Sequence, residues 1–229
     1  MSDRVEDFLA VRRHSERGSY ERSVIDAILD EARYCTVGFV DEGRPVVIPT
    51  IHVRIGDTVV IHGSPASRLL RLLKTGAPCA IGVTLLDGLV LARSVFNHSM
   101  NYRSVVLLDC HGRELEGEEK WEAMHRITEK LVPGRWDDAR RPNDKEVKGT
   151  TLVSFPIDLA SAKVRSGPPV DDEEDYALGV WAGVVPFTLT PGEPVPDPRL
   201  ADGIALPGYL SPPEGGSTAQ PGGGFPTSP

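Results

Sequence analysis

From Tyr34 to Val164 the apolar residues of this chain fall into short runs, each closed by a turn signal, and that pattern constrains the fold more than any single motif. Tyr34 to Val40 reads as a strand closed by Asp41-Glu42-Gly43-Arg44. Pro45 to Val53 is a second strand, interrupted by Pro49 and followed by a turn at Ile55-Gly56-Asp57. Val59 to Ile61 is a third. Pro78 to Leu86 and Leu89 to Val95 flank Asp87-Gly88, the residue pair of a tight hairpin. Tyr102 to Cys110 is closed by His111-Gly112-Arg113, and Thr150 to Ile157 and Ser161 to Val164 complete the series. Val180 to Thr190 is a last apolar segment. Helical spacing is confined to a few places. Val24, Ile28 and Leu29 follow a capping Ser23, and Leu69 to Leu73 follow the third strand. Glu118 to Val132 carries Trp121, Met124, Ile127 and Leu131 as a core stripe, stopped at Pro133-Gly134. A short helix is also expected over Val5 to Arg13, and residues 135–149 read as irregular. The fold class is therefore mostly β with helical additions, a closed antiparallel barrel instead of alternating βαβ units.

Composition narrows what such a barrel does. The formal charge of −8 opposes nonspecific nucleic-acid binding, which needs a basic face. No stretch approaches the roughly 20 apolar residues of a membrane span, and the charged N-terminus lacks an apolar signal core. Cys35, Cys79 and Cys110 are far apart in apolar runs, the pattern of buried free thiols. The expected compartment is the cytoplasm, with neither nucleic acid nor membrane as a partner. The histidines show no metal-ligand spacing, and no nucleophile–base constellation follows from the spacing of Ser, Cys, His and Asp. No catalytic residue is assigned.

One stretch carries chemistry. Val59 to Leu73 reads as strand, turn and helix: His62, Gly63 and Ser64 turn the corner, and Pro65 suits a first helical turn. Ser64 or Ser67 would cap the helix, and Gly76 would end it. A helix N-terminus offers free N–H groups and partial positive charge. With two hydroxyls and the fork-shaped cation of Arg68, that corner makes a phosphate cradle. The same residues also describe an ordinary capped helix with a solvated arginine. Pro49 adds a second marker, because a proline within a strand signals an edge, a bulge or a ligand-facing site.

Several ordered pieces resemble the pyridoxamine-5′-phosphate-oxidase-like flavin-binding split barrels, in the branch that includes nitroimidazole-resistance proteins. They are RHSERGSY, VIPTIHV, IHGSPASR, LLDGLVLARSVFNHSMNYRSVV, LVPGR, SAKVRSGPP and WAGVVP, over about residues 11–210. The resemblance implies a six-stranded antiparallel split barrel that forms a homodimer, with FMN in clefts at the dimer interface. It implies that Ile48, Pro49, Thr50 and Ile51 run along the isoalloxazine edge. His62, Gly63 and Ser64 would lie beside the ribityl chain, and Ser67 with Arg68 at the phosphate. Tyr102, Arg103 and Ser104 would approach the flavin from an adjacent strand or the other subunit. As neighbours on a strand, Tyr102 and Arg103 face opposite sides. Leu69 stands where the pyridoxamine phosphate oxidases follow their Ser-Arg with Lys, which separates this chain from that substrate.

The expected organisation is an N-terminal arm over residues 1–20, the barrel over 21–190, an extended arm over 191–214, and a Gly/Pro tail over 215–229 too poor in apolar residues to pack. The expected activity is electron or hydride transfer from the flavin to a small oxidant. A non-catalytic module holding flavin, deazaflavin or haem is the alternative.

Overall fold

A computed structural model describes residues 9–210 of the chain. Its strands are β1 (Gly18–Ser19), β2 (Tyr34–Asp41), β3 (Arg44–Ile55), β4 (Thr58–Gly63), β5 (Pro78–Leu91), β6 (Ser99–His111), β7 (Arg113–Glu114), β8 (Thr151–Pro156), β9 (Ala160–Arg165) and β10 (Gly183–Pro186). All pairings are antiparallel, in the order β1-β9-β6-β5-β2-β3-β4-β8-β7, with β10 on β5. The helices are α1 (Arg22–Glu31), α2 (Arg68–Leu73), α3 (Gly117–Leu131), α4 (Arg135–Asp138) and α5 (Asp144–Lys148). This is the mostly β class expected, with ten strands among the described residues where six were expected: seven longer ones, the two-residue edge strands β1 and β7, and β10 added on β5.

β3 belongs to two ladders. Arg44 to Ile51 pair with β2, whereas His52 to Ile55 pair with β4. The crossing splits the barrel into two wings. Between them lies the main core, where Val37, Ile61, Ile81, Leu107 and Phe155 are wholly buried and α1 contributes Ile25, Ile28 and Leu29. A second, smaller core forms where α3 lays Ala123 and Ile127 on Val53, Val60 and Leu152. Truncating a fully buried residue such as Leu107 to Ala would remove roughly 2–5 kcal/mol.

Four expectations are corrected. Asp87-Gly88 makes no hairpin: β5 runs unbroken from Pro78 to Leu91, with a register shift between Leu86 and Gly88. The reason is tertiary. β10 pairs with Leu89 to Leu91 and Gly88, and a Cβ at Gly88 would stand 2.7 Å from the Val185 carbonyl oxygen. The glycine serves that close approach. Trp121 is not core: it is 40% exposed and packs edge-on against Trp136, with centroids 5.5 Å apart. Residues 135–149 are not irregular throughout. They hold α4 and α5, the latter started by a reciprocal capping box between Asn143 and Glu146. Of the helix expected over Val5 to Arg13, residues 10–13 are not helical and residues 5–8 lie outside the described residues.

The chain divides between Thr188 and Leu189. The described part of the second unit, residues 189–210, is exposed chain with one 3-10 turn at Gly208–Leu210. The tail expected over 215–229 lies outside the described residues. Among the described residues no helix is long and apolar enough to cross a membrane.

Candidate functional site

The crossing of β3 opens the first candidate site. β4 pairs with β8 along its length, including His62 with Leu152 and Gly63 with Thr151, but meets β3 only as far as Ile61. Past that point, β3 has turned to β2. Ile48 to Ile51 therefore keep one backbone edge free, as do His62 and Gly63. Pro49, exposed and opposite Thr36, sits on this strand without a lost bond, because no partner strand lies on its other side. Ile48 packs on the main core and Ile51 on the smaller one, which fixes the strand from both wings. His62 is half-buried, with Nδ1 enclosed and without a hydrogen-bond partner among the described residues. Burial lowers its pKa, so the neutral ring is favoured.

The corner after β4 differs from expectation in detail. Pro65 precedes the helix in a turn, where the Ser64 hydroxyl accepts from the Ala66 N–H at 3.2 Å. α2 starts only at Arg68, and its first internal bond runs from the Arg71 N–H to the Ser67 carbonyl at 3.0 Å. Ser67 holds the N-cap position but makes no side-chain cap. Its hydroxyl and the first-turn N–H groups are thus not spent on capping. Arg68 is 55% exposed, with Nε 3.6 Å from the Asp41 carboxylate at the end of β2. Asp41 is a loose tether there and leaves the guanidinium fork largely open to solvent.

A second candidate site lies on β5 and β6. A groove of about 660 Å³, almost wholly apolar in lining, runs over Leu86, Leu89 and Leu91 on β5 and over Met100 and Tyr102 on β6, with Ser104 at one end. His98 enters it from the 3-10 turn Val95–Asn97 that links the strands. Its Nδ1 lies 2.9 Å from the Ser94 carbonyl oxygen. A carbonyl only accepts, so Nδ1 carries the hydrogen. That turn is pinned from afar. The buried Asp171 carboxylate accepts from the Arg93 N–H at 2.9 Å, from the Ser94 N–H at 3.2 Å and from the Arg93 guanidinium at 3.2 Å.

The structure thus brings Ile48 to Ile51 and His62 to Arg68 to one opening. It places Tyr102 and Ser104 in the groove, with β5 and β2 between them and β3 in the strand order. Arg103, between them, turns to the other face. Its guanidinium meets Asp87 at 2.8 and 3.0 Å and Glu31 at 2.8 Å, with a further bond from Nη1 to Glu31. Those carboxylates raise its already high pKa, and Arg103 in turn lowers that of Glu31. Ser104 donates to the Lys163 carbonyl at 3.2 Å. Sequence reasoning missed Asp171 and Arg93, which no local pattern joins across 78 positions. Among the described residues, no group of three or more His, Cys, Asp and Glu side chains could hold a metal ion.

A family profile described as pyridoxamine 5′-phosphate oxidase matches residues 21–164. The flavocytochrome Anf3 from Azotobacter vinelandii is 40% identical, with 91% of this chain and 95% of that one covered and a TM-score of 0.82. The FAD and heme binding protein from Mycobacterium smegmatis is 39% identical, covering 85% and 95%, with a TM-score of 0.81. A proposed 5-nitroimidazole antibiotic resistance protein from Bacteroides thetaiotaomicron is 25% identical over 64% of this chain and 86% of its own, with a TM-score of 0.54. No curated protein sequence matches.

Proposed function

The chain belongs to the pyridoxamine 5′-phosphate oxidase family, and we propose that within it the protein binds a flavin nucleotide and a haem and passes electrons to a small oxidant. The observation that carries this reading is near-full-length similarity, at 40% and 39% identity, to a flavocytochrome and to an FAD- and haem-binding protein. The second relative favours FAD over FMN as the nucleotide.

The flavin belongs at the β3–β4 split. The free edge of Ile48 to Ile51 offers backbone N–H and C=O groups to the heteroatoms of the ring. His62, Gly63 and Ser64 flank the sugar chain. Ser67, the first-turn N–H groups of α2 and Arg68 receive the phosphate next to it, which FMN and FAD share. Such a site needs no nucleophilic residue, because a flavin itself supplies the hydride and one-electron chemistry while the chain binds and orients it. A homodimer closes the cleft over the exposed Pro49 strand, and the free buried thiols suit the cytoplasm. Absorption spectra of the purified full chain, with extraction and identification of bound cofactors, test the reading. Flavin and Soret bands support it; a colourless protein that takes up neither cofactor on titration refutes it.

A further inference from the structure

We propose that the β5–β6 groove is the haem site and that His98 is the iron ligand, through Nε2. This rests on the reading that the protein carries a haem as well as a flavin; what it adds is the place and the ligand.

The donor is prepared as iron-binding imidazoles are. A ligating histidine almost always gives its other ring N–H to a carbonyl or carboxylate, which fixes the tautomer and the ring plane. In His98 the Nδ1–H goes to the Ser94 carbonyl at 2.9 Å, so the neutral ring keeps its lone pair on Nε2. The carbonyl does not drift. The Asp171 carboxylate holds the N–H groups of both Arg93 and Ser94, and Asp171 is buried. The supporting shell therefore reaches from the acidic segment after β9 to the ring of His98.

The groove fits the group in size and chemistry. Its volume of about 660 Å³ lies within the roughly 300–1,000 Å³ of small-molecule and cofactor sites. Its walls are Leu86, Leu89, Leu91, Met100 and Tyr102, the surroundings a porphyrin plane requires. Leu86 and Met100 are 51% and 47% exposed, and Val95 and Phe96 on the adjoining turn are 86% and 91% exposed. Large apolar side chains massed around a histidine mark a ligand site more than a solvated loop. The other described histidines fit less well. His52 and His111 have Nε2 within hydrogen-bonding distance of Leu29 and Asp109 respectively, and His14 and His125 lie beside carboxylates. His62 stands at the flavin split.

Hemin titration of the full-length chain tests the assignment, read as the Soret band and its spin-state signature. Wild type should bind hemin with a sharpened, shifted Soret band. His98→Ala should weaken binding at least tenfold and lose that shift, and added imidazole should restore it. His125→Ala, at a residue that lies beside Glu122 and outside both candidate sites, should leave the Soret band unchanged. Leu86→Glu should weaken hemin binding without altering the oligomeric state. If His98→Ala binds hemin with the wild-type spectrum, the ligand lies elsewhere: the assignment falls while the flavin and haem reading stands. If wild type takes up flavin but no hemin, the assignment and the haem half of that reading fall together. If Leu86→Glu keeps hemin binding but splits a dimer, the groove is a contact between copies and the assignment is wrong.

Discussion

Lys130 reaches from α3 to place Nζ 3.2 Å from Nε2 of His52, and both lie 2.9 Å from the Leu29 carbonyl. His52 is the residue at which β3 leaves one ladder for the other, so a polar cluster sits at the hinge of the split. Burial is the main cause that pushes His52 down to about 4 and Lys130 down to about 8. For His52 the folded value lies below the ordinary 6.5, so the neutral form is favoured by folding. Its contribution is complete above pH 6.5 and is lost as pH falls toward 4, by at most about 3 kcal/mol. Lys130 is charged in both states below pH 8, and stability rises as pH climbs from 8 toward 10.5. Urea midpoints between pH 4 and 10 check both windows. His52→Gln should lower stability at pH 7 yet flatten the acid limb, and Lys130→Met should flatten the alkaline one. Parallel curves for all three proteins would show that these groups do not control the dependence.

Arg103 joins Asp87 on β5 to Glu31 on α1. Arg103→Met should cost about 1–2 kcal/mol, a modest value because the three side chains are a third to a half exposed. Arg103→Lys should recover only part, since the fork is lost. Neither change should alter the flavin absorbance of the loaded protein. A loss of cofactor at unchanged melting temperature would return Arg103 to the binding site.

Gly88 allows β10 to lie against β5. Gly88→Ala would place a methyl group 2.7 Å from the Val185 carbonyl oxygen, which backbone movement must relieve at about 1–3 kcal/mol. The expected result is release of β10, seen as faster proteolysis within residues 180–190 and a lower melting temperature. Unchanged protection of that segment would show that the ladder has room to adjust.

Arg68→Ala should weaken flavin nucleotide binding about ten- to a hundredfold, from a charge-assisted bond of roughly 1.5–3 kcal/mol. Riboflavin, which has no phosphate, is the control and should barely respond. Equal loss for both flavins would make Arg68 a structural residue of the corner, and no loss for either would move the phosphate elsewhere.

The split was legible where chemistry is local. Pro49 inside an apolar run marks a strand edge, and Val59 to Leu73 show the change from strand to helix period at His62-Gly63-Ser64. Alternation along a strand likewise separates Tyr102 and Ser104 from Arg103, as observed. What was not legible depends on segments distant in the chain. Asp87-Gly88 carries a hairpin signal that β10, almost a hundred residues later, overrides. His98 reads as a loop residue until Asp171 pins its turn and β6 begins at Ser99. The hinge of His52, Lys130 and Leu29 exists only once α1, α3 and β3 have met.

Native mass spectrometry of the untreated full-length chain tests the central claim most directly, because it reports cofactor mass and assembly together. The expected species is a dimer with one flavin nucleotide and one haem per chain, both masses being lost on denaturation. A protein that flies without flavin, and still acquires none after incubation with excess FAD and FMN, would contradict the claim.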